Sequence, residues 1–118
     1  MRIDYDVDSP NPAYNGLWFK LNGIDVSQYS KLTFQVKGDK KRGFTPLFKV
    51  ELKNNQGEVG RYYVTGVTDQ WQKIEIPLLK IAGISDLTNM NELVFVFEDW
   101  RCPVKEGTLY FDDIQFEK

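Results

Sequence analysis

The chain has 118 residues, enough for one domain that buries its apolar surface without covalent staples. Its formal net charge is only −2 with both signs interspersed, so it carries no electrostatic footprint for DNA or RNA. The lack of histidine and the single cysteine, Cys102, remove the commonest general base and transition-metal ligand, an internal disulfide and a thiolate zinc site.

The dominant hydrophobic period is two, which is the period of half-buried strands. Ile3, Tyr5 and Val7 alternate with Asp4, Asp6 and Asp8, predicting a first strand edged with carboxylates. Leu17, Phe19 and Leu21 alternate with Trp18 and Lys20; Leu32, Phe34 and Val36 with Thr33, Gln35 and Lys37; Phe48, Val50 and Leu52 with Lys49, Glu51 and Lys53. Lys40-Lys41-Arg42, between two glycines, reads as a solvated turn. Asn54-Asn55-Gln56-Gly57 is a hairpin signal, because Asn and Gly tolerate positive φ.

A strand follows from about Val59 to Val64, then a turn over Gly66 to Asp69. Trp71 to Ile76 forms the next strand, with Ile74 and Ile76 inward, and Pro77 ends it by removing a ladder donor. Trp71, at a strand start, reads as a corner-packing residue. Leu78 to Ala82 offers a single helical turn limited by Gly83. Leu93 to Phe97 is apolar at both parities and predicts a central strand covered on both faces. In the last strand Leu109 and Phe111 alternate, as do Ile114 and Phe116. The step of three between them, at Asp112-Asp113, predicts a bulge. The sum is about eight short strands in residues 1–118, hence an all-β antiparallel sandwich or jelly roll.

No stretch approaches the roughly 20 apolar residues of a membrane span, and no nucleophile elbow, phosphate-cradling loop or metalloprotease motif occurs. Neither nucleic acid nor membrane is an expected partner. The N-terminus starts in a strand-like pattern without a signal-peptide core; a cytosolic protein or a module cut from a longer secreted chain would look so, and the abrupt ends favour the second. Paired carboxylates suit glycoside hydrolysis, but here Asp and Glu fall mainly on outward positions and turns, so a small hydrolase ranks last.

Two other chemistries have candidate residues. Calcium takes six to eight hard oxygens, and bringing the first and last strands together would gather Asp4, Asp6, Asp8, Asp112 and Asp113, with Asp25 from the loop after Gly23. An acidic pair inside an apolar strand needs a partner, since unpaired buried carboxylates are costly. The alternative is that Asp112 accepts a backbone hydrogen bond at the bulge while Asp113 faces water. Sugars, in turn, stack on aromatic rings while charged and amide groups bond their hydroxyls. Trp18, Tyr63 and Trp100 are the aromatic candidates, with Gln35, Lys49, Glu51 and Arg61 as polar contacts. Trp18 and Trp100 could equally plug the end of a sandwich.

The blocks Ser30 to Asp39, Phe48 to Lys53, Trp71 to Leu78 and Gly107 to Ile114 together resemble galactose-binding-like jelly-roll modules. They are most similar to family 11 carbohydrate-binding modules and the complex I intermediate-associated protein family. The resemblance implies a non-catalytic polysaccharide- or oligosaccharide-binding module in an extracellular or cell-surface protein, covalently linked to a catalytic domain. It also implies a structural calcium on Asp112, with Asp6 and Asp25 as company. Related modules bind β-glucan in a tyrosine-lined cleft, whereas the outward positions here are rich in Lys and Glu. The second reading is a protein-interaction or assembly domain of the same fold.

Overall fold

The computed structural model describes residues 1–7, 14–98 and 102–118, with the backbone alone for residues 14 and 15. Asp8 and Trp100 lie outside the described residues. The strands are β1 (Arg2–Asp6), β2 (Tyr14–Ile24), β3 (Lys31–Gly38), β4 (Phe48–Asn54), β5 (Val59–Val64), β6 (Gln72–Pro77), β7 (Met90–Glu98) and β8 (Glu106–Glu117). A single 3-10 turn, Leu78–Lys80, follows Pro77 where the helical turn was expected. The first sheet has the order β1-β8-β3-β6 and the second β2-β7-β4-β5, with every neighbouring pair antiparallel. The expected antiparallel sandwich is the observed one.

Alternation places one face of each strand in a shared core. Leu32, Phe34 and Val36 of β3 and Leu109 and Phe111 of β8 face Phe48, Val50 and Leu52 of β4 and Leu93, Phe95 and Phe97 of β7, all buried. Four phenylalanine rings bridge the sheets. Phe95 stacks on Phe111 at 4.9 Å and 12°, meets Phe34 at 5.0 Å, and meets Phe48 edge-on at 5.9 Å. Such pairs add about 0.5–1.5 kcal/mol each beyond their area burial. The predicted hairpin turn forms, with Gly57 at φ 84° and its N–H donating to the Asn54 carbonyl.

The β8 bulge also forms. Gln115 faces Thr33 and Asp112 faces Gln35, so Phe34 alone opposes both Asp113 and Ile114. Asp113 takes the left-handed conformation, φ 51°, which Asp tolerates better than most residues. This shift keeps Phe111 and Phe116 both inward despite their odd spacing. The acidic pair is not buried: both aspartates are exposed, and Asp112 accepts the N–H of Asp113 at 2.9 Å.

Glu58 fastens the β4–β5 hairpin to the loop before β7. Its carboxylate accepts from Asn54 Nδ2 at 2.7 Å, Ser85 Oγ at 2.9 Å, and the N–H groups of Ser85 and Asp86, each at 3.2 Å. The Asn54 amide, followed by the Ser85 and Asp86 donors, holds the Glu58 carboxyl below its ordinary value of 4.5.

Phe95→Ala removes the ring common to three of these contacts and is expected to cost about 3–5 kcal/mol in urea denaturation. Glu58 binds protons more weakly folded than unfolded, so its contribution is present above the ordinary carboxylate range and lost as pH falls through the folded value. The melting temperature should therefore fall on acidification below about pH 4.5. Glu58→Gln should lower it at neutral pH and flatten that acid limb.

Candidate functional site

The outer face of the second sheet collects most of the residues singled out for ligand binding. Because Leu17 and Phe19 pack against the core, Trp18 between them turns outward. The same parity turns out Lys49 and Glu51 on either side of Val50, and Val94 and Val96 on either side of Phe95. The register then lines them into two rows across the four strands. One row is Trp18–Val94–Glu51–Arg61 and the next is Gly16–Val96–Lys49–Tyr63. At about 4.8 Å per strand spacing, each row runs about 14 Å from edge to edge.

Trp18 is 49% exposed and Tyr63 40%, so an aromatic ring stands at each edge of the face. Gly16 sets the pose of the indole. A Cβ there would lie 2.8 Å from Trp18 Cη2 and 3.1 Å from Cζ3, so the ring lies over the bare glycine with its other side open. Val94 and Val96 are buried although no further strand or helix among the described residues packs over them. They share a depression of about 210 Å³ with Trp18, Lys49, Glu51, Lys53 and Glu98. The central strand is thus covered on both faces as expected, and long side chains of neighbouring strands contribute to the outer cover.

The floor is a chain of ion pairs. Lys49, only 9% exposed, places its Nζ 2.9 Å from Glu51 Oε2 and 3.1 Å from Glu98 Oε2. Arg61 Nε lies 3.9 Å and Lys53 Nζ 4.0 Å from the Glu51 carboxylate. Burial alone would lower the Lys49 pKa, but the hydrogen bonds its ammonium donates to Glu51 and Glu98 outweigh it and raise the ammonium above its ordinary value. Removing one member of such a buried group would strand the others, so Lys49 fixes the geometry of both carboxylates. Glu51 presents an ordered acceptor, buried Glu98 helps hold Lys49 in place, and half-exposed Arg61 presents donors at the rim.

Five of the seven expected ligand residues, Trp18, Lys49, Glu51, Arg61 and Tyr63, thus share one face. Gln35 does not. It lies on β3 opposite Lys73 and Asp112, on the outer face of the other sheet. Alternation shows that a side chain points outward but not from which sheet. Lys53, Val94, Val96 and Glu98 line the same depression without being among the ligand residues expected from the sequence. Extending the outward parity of Val94 to residue 98 would have found Glu98.

The calcium ligands do not converge. β1 does pair with β8, and the Met1 amine donates to the Phe111 carbonyl at 2.8 Å. Asp6, however, faces Glu106, six positions before Asp112 on β8, a separation of about 20 Å along the strand. Asp25 accepts from Ser27 Oγ at 2.6 Å and Ser27 N at 2.8 Å within its own loop. Among the described residues no three Asp, Glu, His or Cys side chains gather as metal ligands would. Asp6, Asp25 and Asp112 do not fit one ion, and no part of the function is routed through it.

A family model described as carbohydrate binding domain 30 matches residues 1–118. A mannan endo-1,4-beta-mannosidase of Bifidobacterium adolescentis is 28% identical over 123 residues, covering 85% of this chain but 11% of that protein. Among solved structures, a family 11 carbohydrate-binding module from Clostridium thermocellum, in complex with a beta-1,3-1,4-mixed-linked tetrasaccharide, superposes with a TM-score of 0.69. The identity is 20%, over 99% of this chain and 81% of that one. An exo-beta-agarase superposes with a TM-score of 0.78 at 11% identity, over 98% of this chain and 20% of that one. At these identities the likeness is one of fold, and in fold the resemblance to family 11 modules holds. With its full length matched, the chain belongs to the carbohydrate-binding domain 30 family.

Proposed function

We propose that this carbohydrate-binding module is non-catalytic and holds a neutral β-linked polysaccharide across the outer face of the second sheet. The observation that carries the reading is the pairing of two exposed aromatic edges, Trp18 and Tyr63, with a floor whose cations Lys49, Lys53 and Arg61 all pair with Glu51. A neutral pyranose stacks its C–H face on Trp18, gives a hydroxyl proton to Glu51, and accepts from Arg61. The rows span several sugar units, which favours a polymer over a monosaccharide. Glu51 and Glu98 both hold Lys49 instead of flanking an open position where a glycosidic bond could be cleaved.

The tetrasaccharide bound by the family 11 module and the mannosidase and agarase names of the other relatives support β-linked plant or algal glycans as the first ligands to try. The small share of the mannosidase that this chain matches supports a parent protein with a linked catalytic domain. Such polymers lie outside the cell, and we place the parent there or at the cell surface.

Affinity electrophoresis on mixed-linkage β-glucan, β-mannan and agarose tests the reading. Retardation by at least one is expected, whereas none by any would favour an assembly domain of the same fold. Trp18→Ala should weaken binding by about 2 kcal/mol, some thirtyfold, with an unchanged melting temperature. A drop in melting temperature with affinity intact would make Trp18 a packing residue. Gly16 is a positioning residue: Gly16→Ala should weaken binding, shift the tryptophan emission as the indole lifts, and cost about 1–3 kcal/mol of stability, because the new Cβ also meets the Phe95 carbonyl oxygen at 3.1 Å.

A further inference from the structure

The outer face of the first sheet, on the opposite side of the sandwich, carries an aromatic site that the proposed glycan face does not use. Lys37 of β3 pairs with Tyr110 of β8, and Trp71 stands immediately before β6. The expected corner-packing role for Trp71 is not what the structure gives it: the side chain is 49% exposed. The Lys37 ammonium lies between two rings, 5.4 Å from the centroid of Trp71 and 5.6 Å from that of Tyr110.

This arrangement is held in place. The Tyr110 hydroxyl donates to Asp39 Oδ2 at 2.8 Å, while Asp39 Oδ1 accepts the N–H groups of Lys41 at 3.0 Å and Arg42 at 3.1 Å. The fixed ring and the fixed turn wall a pocket of about 430 Å³ whose lining includes Lys37, Lys40, Lys41, Asp69, Trp71 and Tyr110. Its charge differs in kind from that of the second sheet. None of Lys37, Lys40 and Lys41 pairs with a described carboxylate, whereas Lys49, Lys53 and Arg61 all do. Asp39 is occupied by its donors, which leaves Asp69 as the pocket's acceptor for hydroxyl protons.

We infer that this pocket is a second saccharide site, independent of the first, and that it takes an acidic sugar, a uronate residue of a glycan. The apolar face of the uronate ring lies on Trp71. Its carboxylate meets the lysines, with Lys37 already oriented by the two rings, and a hydroxyl donates to Asp69.

The test is a titration of the whole module with trigalacturonate and with its carboxyl-reduced, neutral counterpart, followed by calorimetry and by the three tryptophan indole N–H resonances in NMR. Trigalacturonate is expected to move the Trp71 indole resonance and to bind at least about tenfold more tightly than the neutral sugar, with affinity falling as salt rises. Trp71→Ala should weaken it about tenfold or more, and Lys37→Gln, which keeps the ring platform, about fivefold. Equal binding of the reduced sugar would overturn the acidic specificity. Perturbation of Trp18 alone, or no perturbation at all, would overturn the site, and neither result bears on whether neutral glycan binds the other face.

Discussion

Everything on the surface of this domain depends on the four phenylalanines that lock its sheets together. Phe34 and Phe111 come from the first sheet and Phe48 and Phe95 from the second, and Phe95 touches each of the other three. Once those rings are inside, strand geometry leaves no choice about their neighbours. Val94 and Val96 must turn out because Phe95 turns in, and Lys49 must turn out because Phe48 turns in. The proposed binding face is the reverse side of the core, and a slip of one residue in β7 would exchange the two.

That coupling explains why a charged floor can exist on a nearly buried surface. Val94 and Val96 need cover, and the stems of Lys49 and Glu51 supply it while their heads pair with each other. The ion pairs therefore lie over apolar ground that excludes water from one side, where they are stiffer than an exposed pair would be. A ligand on the proposed face would find the Glu51 carboxylate already oriented, which would lower the ordering cost of binding.

Much of this was legible in the amino-acid sequence, and the parts that were not share a physical cause. Alternation located the strands, the inward set and the bulge at Asp112-Asp113, because each is a local consequence of the pleat. Which strands become neighbours is not local. Gln35 and Lys49 look equivalent in sequence, both outward on adjacent strands, yet β3 and β4 belong to different sheets. The expected gathering of Asp6 and Asp112 on one ion meets the same limit: β1 does lie against β8, but register puts Asp6 beside Glu106 and far from Asp112. The pairing was readable and the offset was not. The corner-packing expectation for Trp71 follows from how often a tryptophan after a turn is packed; only the placement of Lys37 and Tyr110 beside it gives an exposed indole its setting.

The two aromatic faces point in opposite directions from a body whose shortest Cα extent is 21 Å. A rigid glycan lying on Trp18 cannot bend around to reach Trp71, so the two faces cannot act as neighbouring subsites of one chain segment. They differ in charge as well as direction, one with its cations paired and the other with lysines that are not. Simultaneous use of both would have the module span two different chains, a neutral one and an acidic one. Plant and algal walls set such polymers side by side, and in such a mesh the second contact would be made at high effective concentration. Two chemically distinct sites on opposite faces would then favour material that carries both polymers over either polymer alone.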